Sequence, residues 1–336
     1  MTRLQDGGAG NALLLQTKKD FKMSAGFSLV ADTGGTNTRV ALANDGVVDQ
    51  DSIRRYRNAQ ASGMDDILRQ YLGDIGVTST QISGACVAIA GPVRDGVAKM
   101  TNLDWRIDRD MLADVLTAKK LAVLNDLQAQ GHAIGHLEPR YVTQILPQPE
   151  ASLHAAKLVI GLGTGFNAAP VFDTAAGRFV PPSESGHISL PWSGNDGDAI
   201  ALALRGERGF ASVEDILSGR GIERLHRFLH DHEVSAADIM AALETGDAQA
   251  ETTARLFVKI LGTVVGDLAL INLPFGGIYL IGGVSRAIAP YLERFGFAQS
   301  LQAKGRFQGF MEQFGVFVVS DDYAALTGCA AHLSHL

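Results

Sequence analysis

A chain of 336 residues is long enough for two domains with separate cores, and a composition of 46% hydrophobic and 19% charged residues is that of an ordinary globular protein. With 36 acidic residues against 29 basic, a formal charge of −7 and no basic stripe, nucleic acid and anionic membrane are excluded as main partners. Two cysteines, Cys86 and Cys329, are too few for a Cys-x-x-Cys zinc site or a secreted disulfide framework, so a reducing cytoplasm is the expected compartment.

Residues 1–22 carry no convincing strand or helix pattern, and Met23 stands just before the first strand. Residues 1–26 are therefore expected to be a largely disordered tail, an upstream start or an added segment. Lys18-Lys19-Asp20 follows the brief apolar stretch Ala12–Leu15, and no apolar run reaches bilayer length.

The ordered chain opens on Leu29–Leu42, which reads as strand, Gly/Thr turn with an Asn, and second strand; Leu158–Val171 repeats the plan. Each is a hairpin around a tight polar turn, in which glycine permits positive φ and backbone N–H groups can approach an anion. Two such turns facing each other would clamp phosphate, and the duplication predicts a two-lobed fold with a cleft between the lobes.

After the first hairpin, the spacing of Ile67, Leu68, Tyr71 and Leu72 predicts a helix over 65–72, and Ala85–Ala90 a buried strand stopped by Gly91-Pro92. Asp108 is a candidate N-cap for a helix through Leu116, and Leu121–Leu124 is a buried strand ending at Asn125-Asp126, where another helix begins. Strands interleaved with helices give an α/β lobe with a mostly parallel core. The second half opens on the repeated hairpin and becomes helix-rich. Ser212 and Ser235 open capping boxes, Glu251–Leu273 is a long apolar helix ended by Pro274–Gly277, Ile278–Ile281 and Val316–Val319 are strands, and residues 322–333 close the chain as a helix.

Asn125-Asp126 lies at the carboxyl end of a buried strand, where open α/β sheets bind ligands. A carboxylate there can accept the proton of an attacking hydroxyl, or Asp126 can simply cap the helix. Glu184 and His187 share a Gly-containing loop and could both hydrogen-bond adjacent hydroxyls, although a lone His is more often structural. Glu214 fits a hydroxyl ligand or the first turn of a helix, whose dipole favours a carboxylate. Asp32, after the first strand, could hold the water shell of Mg2+ or serve as an ordinary turn residue. Gly34, Gly35, Thr36 and Asn37, with Gly163, Thr164 and Gly165, offer donors to phosphate, while Gly282-Gly283 lets the chain pass close to a flat ring such as adenine. No Walker phosphate loop and no Gly-x-Gly-x-x-Gly in strand-turn-helix context is present, which disfavours Walker-type NTPases and nicotinamide dehydrogenases.

The ordered set Asp32–Asn37, Val87–Pro92, Met100–Trp105, Leu124–Asp126, Gly163–Gly165, Glu184–His187, Val213–Gly219, Ile281–Gly283 and Lys304–Phe307 resembles the bacterial glucokinases of the hexokinase, actin and Hsp70-like superfamily. That resemblance implies an actin-like (ribonuclease H-like) ATPase fold of duplicated α/β domains. The small domain would span 27–137, completed by about 321–336, and the large domain 138–320. It implies ATP-dependent phosphorylation of the glucose 6-hydroxyl with Mg2+. Asp126 would be the general base, and Asn125, Asp126, Glu184, His187 and Glu214 would hold the sugar. The two turns would hold the phosphates, Gly282-Gly283 would lie beside the adenosine, and a homodimer is expected. Two features depart from the family pattern: Asn167 where glycine is common, and Ser183 and Ser185 around Glu184 where glycines are common. A kinase for mannose, fructose or an amino sugar, a sugar-binding regulator without catalysis, and an actin-like filament or chaperone ATPase are the alternatives.

Overall fold

A computed structural model describes residues 26–100, 103–191 and 209–336. Residues 1–25 of the expected tail, and Thr101 and Asn102 of the Met100–Trp105 motif, lie outside the described residues.

The first hairpin is β1 (Phe27–Thr33) and β2 (Asn37–Asn44), followed by β3 (Val47–Val48) and β4 (Arg54–Arg57), both pairing antiparallel with β2. Then come α1 (Met64–Ile75), β5 (Ile82–Ile89), a small three-stranded sheet of β6 (Val93–Arg94), β7 (Val97–Lys99) and β8 (Arg106–Ile107), α2 (Arg109–Val115), β9 (Lys120–Asn125) and α3 (Asp126–Ala133). β5 lies parallel to β1, and β9 parallel to β5.

The second half contains β10 (Val142–Leu146), β11 (Lys157–Leu162), β12 (Phe166–Thr174) and β13 (Gly177–Phe179), then α4 (Val213–Ile216), α5 (Gly219–His230), α6 (Ala236–Glu244) and α7 (Ala248–Asn272). It closes with β14 (Ile278–Ile281), α8 (Gly283–Ile288), α9 (Phe297–Gln302), β15 (Val316–Val319) and α10 (Ala324–Ser334). The hairpin β11–β12 is antiparallel, β14 lies parallel to β11, and β15 parallel to β14. The two main sheets thus repeat one plan, with the hairpin's first strand central and two parallel strands added beside it.

Strand alternation places a core on each face of both sheets. In the first sheet Leu29 and Ala31 face α1 and α2, whereas Val30, Cys86 and Ala88 face α3 and α10. In the second, Leu158, Ile160 and Leu162 pack on the helical mass around α7, while Val159, Ile281 and Val319 face the other way. Their partners there include Leu127 and Ile134, at the start and end of α3. Ala129 of the same helix packs with the first sheet's core. α3 is therefore wedged between the two sheets, with apolar neighbours on both flanks.

Both ends of α3 are tied down. Asn125 and Gln128 form a reciprocal capping box at its start, and Gln128 Nε2 donates to Val180 O at 2.8 Å. At its end the Arg178 guanidinium donates to the carbonyls of His132 (3.1 Å) and Ile134, placing positive charge at the helix C-terminus. Along its length, Gly328 of α10 comes so near that an added Cβ would lie 1.6 Å from Ala129 O. The long helix runs Ala248–Asn272 from the Asp247 cap, and Leu273 ends it in the left-handed region at φ 47°. Ser212 makes the full capping box with Asp215; Ser235 caps its helix without the reciprocal backbone bond.

Candidate active site

The first turn closes with Gly34 N–H donating to Asn37 O at 3.0 Å. Asn58, buried at 1% exposure, braces it from behind. Its backbone N–H donates to Thr36 O (2.9 Å), its Nδ2 donates to Gly34 O (2.8 Å), and its Oδ1 accepts from Thr38 Oγ1 (2.8 Å). With two carbonyls held by Asn58, peptide planarity turns the N–H groups of Gly35 and Asn37 the opposite way. Thr36 is exposed and Asn37 half-buried at this tip.

The second turn is built from different parts. Gly163 N–H donates to Gly165 O (3.0 Å), and Gly219 N–H to Gly163 O (2.9 Å). Glu214 reaches across from α4, its Oε2 accepting from Phe166 N–H at 3.0 Å. A Cβ at Gly165 would sit 2.4 Å from that oxygen, so a side chain there would displace the carboxylate from its place. Gly282 adopts φ 121° and passes so close to Leu162 that a Cβ would lie 2.4 Å from its carbonyl oxygen. The Gly282-Gly283 corner and the second turn are thus direct neighbours. None of Gly34, Gly35, Gly163 and Gly165 has a positive φ, which corrects the expected use of glycine. At Gly165 close approach, and not handedness, sets the requirement.

Asp126 is the first residue of α3, half-buried at the end of β9. The cap is Asn125, whose Oδ1 accepts from Gln128 N–H at 2.6 Å, so capping does not account for Asp126. The Asp126 carboxylate accepts the adjacent Leu127 N–H at 2.9 Å and has no side-chain hydrogen-bond partner among the described residues. Burial, then the negative charges of Asp32 and Glu184, push its pKa up to about 6, against the opposing pull of backbone N–H groups. Asp32, Asp126 and Glu184 therefore share one electrostatic neighbourhood.

Asp32 is the last but one residue of β1 and pairs with Arg39 directly across the hairpin at 3.2 Å. Burial raises its pKa and the Arg39 guanidinium opposes that rise. Arg39 also lies over the Tyr323 ring, 5.9 Å from its centroid. Asp32 fits a cation held through water: one oxygen is engaged by Arg39, a second carboxylate lies near, and Mg2+ usually takes only one or two carboxylates.

Glu184 and His187 flank a short 3-10 turn, both exposed and without a side-chain hydrogen bond among the described residues. Asn125 is buried at 4% exposure, with no protein partner for its NH2 among those residues. Asn167 ties this loop to the second hairpin. Its Oδ1 accepts from Ser185 N–H (2.9 Å) and its Nδ2 donates to Ser183 O, while the Ser183 and Ser185 hydroxyls meet at 2.6 Å. Asn167, Ser183 and Ser185 form one hydrogen-bonded unit. Lys304 lies elsewhere, its ammonium on Asp267 (2.5 Å) and Thr263 O (3.0 Å) of α7.

Sequence reading missed Asn58 and Arg39. Arg39 was accessible from hairpin register, because a turn centred between Gly35 and Thr36 sets Asp32 opposite Arg39. Asn58 carries no such signal, since it lies on the far side of β4 from the turn it supports.

A family model described as Glucokinase matches residues 29–336. The chain is 32% identical over 317 residues to a glucokinase of Photorhabdus laumondii, covering 91% of this chain and 97% of the relative. It is 33% identical over 325 residues to one of Caulobacter vibrioides, covering 94% and 97%. Among solved structures, a glucokinase from an Antarctic psychrotroph superposes with a TM-score of 0.80 at 29% identity, covering 92% of this chain and 99% of that one. A glucokinase of Balamuthia mandrillaris in complex with glucose gives 0.74 at 21% identity over 94% and 95%, a likeness of fold. The fold is the two-lobed actin-like ATPase fold.

Proposed function

The chain belongs to the glucokinase family and is a sugar kinase of the hexokinase type; on that premise we propose that it transfers the γ-phosphoryl group of ATP to the 6-hydroxyl of glucose. The observation that carries this reading is the Asp126 carboxylate at the head of α3, poised by burial and by Asp32 with a pKa of about 6. A base of that strength is ionised at neutral pH and still accepts a proton readily.

Glucose binds between the lobes with its hydroxyls on Glu184, His187, Glu214 and the Asn125 NH2, and its 6-hydroxyl on Asp126. As the 6-oxygen forms its bond to the γ-phosphorus, Asp126 takes the hydroxyl proton. The bond from phosphorus to the bridging oxygen breaks and leaves its electron pair on ADP. Thr36, the N–H groups of Gly35 and Asn37, and the turn Gly163–Gly165 hold the phosphates, and Gly282-Gly283 lies along the adenine. Asp32 would hold Mg2+ through water, and the ion supplies charge neutralisation on the nucleotide when bound. Phosphoryl transfer leaves the protein mainly positioning and electrostatic work, so cleft closure, which excludes water, completes the site.

The division into a small domain (27–137 with 321–336) and a large one (138–320) belongs to the same proposal, supported by α10 packing on the first sheet. Two buried free thiols, Cys86 and Cys329, suit a cytoplasmic enzyme. Among the described residues no helix is long and apolar enough to cross a membrane.

The test is hexose-dependent ADP release by the purified protein with ATP and Mg2+, compared across glucose, mannose, fructose and glucosamine. Glucose should give the highest kcat/KM. A higher value for another hexose overturns the substrate, and no hexose-dependent release overturns the reaction.

A further inference from the structure

Three histidines gather where α5 ends and α7 begins, on the helical side of the second sheet. His226 is buried at 3% exposure, whereas His232, just past the end of α5, is exposed. Their Nε2 atoms lie 3.4 Å apart.

The other ring nitrogen of each lies against an oxygen. Thr253 Oγ1 donates its proton to Gln249 O one turn back in α7, at 3.0 Å. His226 Nδ1 lies 2.9 Å from that hydroxyl and donates to it in the tautomer protonated at Nδ1; His230 Nε2 lies 3.3 Å from the same oxygen. His232 Nδ1 lies 3.0 Å from the carbonyl oxygen of His230, which can only accept, so His232 Nδ1 also carries its proton. With His226 protonated at Nδ1, both Nε2 atoms are bare, and two lone pairs face each other across 3.4 Å. In that tautomer the pair repels unless a cation sits between the rings, whereas His226 protonated at Nε2 would donate to His232 Nε2 instead.

We propose that His226 and His232 form a binding site for a divalent transition cation of the zinc class. Two imidazole ligands at about 2.0–2.1 Å from a tetrahedral ion lie about 3.4 Å from each other. Each ring also donates its Nδ1–H to an oxygen, the outer-shell pattern that orients metal-binding histidines. The Asp247 carboxylate, which caps α7, places negative charge within reach of His226. His230 is not a ligand through Nε2, which is engaged with Gln249 O at 3.1 Å. No third His, Cys, Asp or Glu completes a cluster among the described residues, so water fills the remaining positions. The bound ion would pin the chain just past α5 back onto α5, with α7 contributing only the Thr253 contact to His226.

The experiment is calorimetric titration of the intact protein with Zn2+ alone at pH 8, repeated on three variants. The wild type should bind one ion, and the exposed His154→Ala variant should match it. His232→Ala should weaken that binding at least tenfold, and Thr253→Val, which removes the hydroxyl that orients His226, about tenfold. Far-UV circular dichroism checks that each variant is folded. Wild-type binding no tighter than that of His232→Ala, or Thr253→Val binding as tightly as wild type, overturns the proposal and leaves the pair sharing a proton as an imidazole–imidazolium bridge.

Discussion

Around the first turn a single buried asparagine, Asn58, makes three hydrogen bonds, and the carboxylate nearby, Asp32, comes from the hairpin itself. Around the second, the carboxylate is imported from α4 as Glu214, and Asn167 links the hairpin to the loop carrying Glu184 and His187. The backbone plan repeats and the supports do not. Among the described residues no hydrogen bond joins the first turn to the loop carrying Glu184 and His187, whereas the second hairpin is bonded to that loop twice through Asn167. Disturbing the first should act on the nucleotide alone, and disturbing the second should act on sugar and nucleotide together.

The largest effect falls between the turns. Asp126→Asn keeps the contact to Leu127 and removes the base, so kcat should fall about 10²–10⁴-fold with glucose affinity little changed. Its folded-state pKa is raised, so ionised Asp126 costs stability that a neutral amide does not. The variant's Tm should therefore exceed that of the wild type above pH 6, a gain bought with activity. Rapid-quench kinetics and thermal melts decide both, and near-normal turnover would remove Asp126 from the mechanism.

Next in size is the pH profile. Below about pH 6 the carboxylate is protonated, so kcat/KM should drop about tenfold per pH unit and level off above it. A profile still flat down to pH 5 would contradict the assigned base.

Asn58→Ala sharpens the comparison directly. It strips the first turn of its brace and leaves the carbonyl of Gly34 short of a donor, at about 1–3 kcal/mol. KM for ATP should rise roughly tenfold while KM for glucose stays within about twofold. Equal rises in both would erase the proposed separation between turns. The smallest change is expected of Asn167→Gly, which frees Ser183 and Ser185. A loosened loop should raise KM for glucose by about threefold, near 0.7 kcal/mol, with a smaller rise for ATP. An effect on ATP alone would assign Asn167 to the phosphates instead.

Much of this was legible in the residues because it is written in local chemistry. Glycine and threonine mark both turns, and Asn125-Asp126 ends a run of buried apolar residues. What could not be read is two-sided. α3 reads Asp-Leu-Gln-Ala-Gln-Gly-His-Ala and shows no single apolar stripe, because Leu127 and Ala129 serve different cores. β10 alternates weakly at a half-exposed edge and pairs antiparallel with β15, 170 or so positions away. Asn58 looks like any loop polar residue until the sheet folds it under the turn. The three departures from the family pattern were visible singly at 167, 183 and 185, and only the structure makes them one assembly.

The wedge helix carries a consequence for how this molecule could be taken apart. A duplicated plan suggests halves that could be produced separately and mixed, yet α3 offers Leu127 and Ile134 to one half and Ala129 to the other, and the last helix of the chain closes over the first sheet. Severed in the connection after residue 137, either fragment would show water a greasy strip meant for its counterpart. The repeated plan leaves a visible seam, but not one along which the enzyme should divide into self-sufficient pieces.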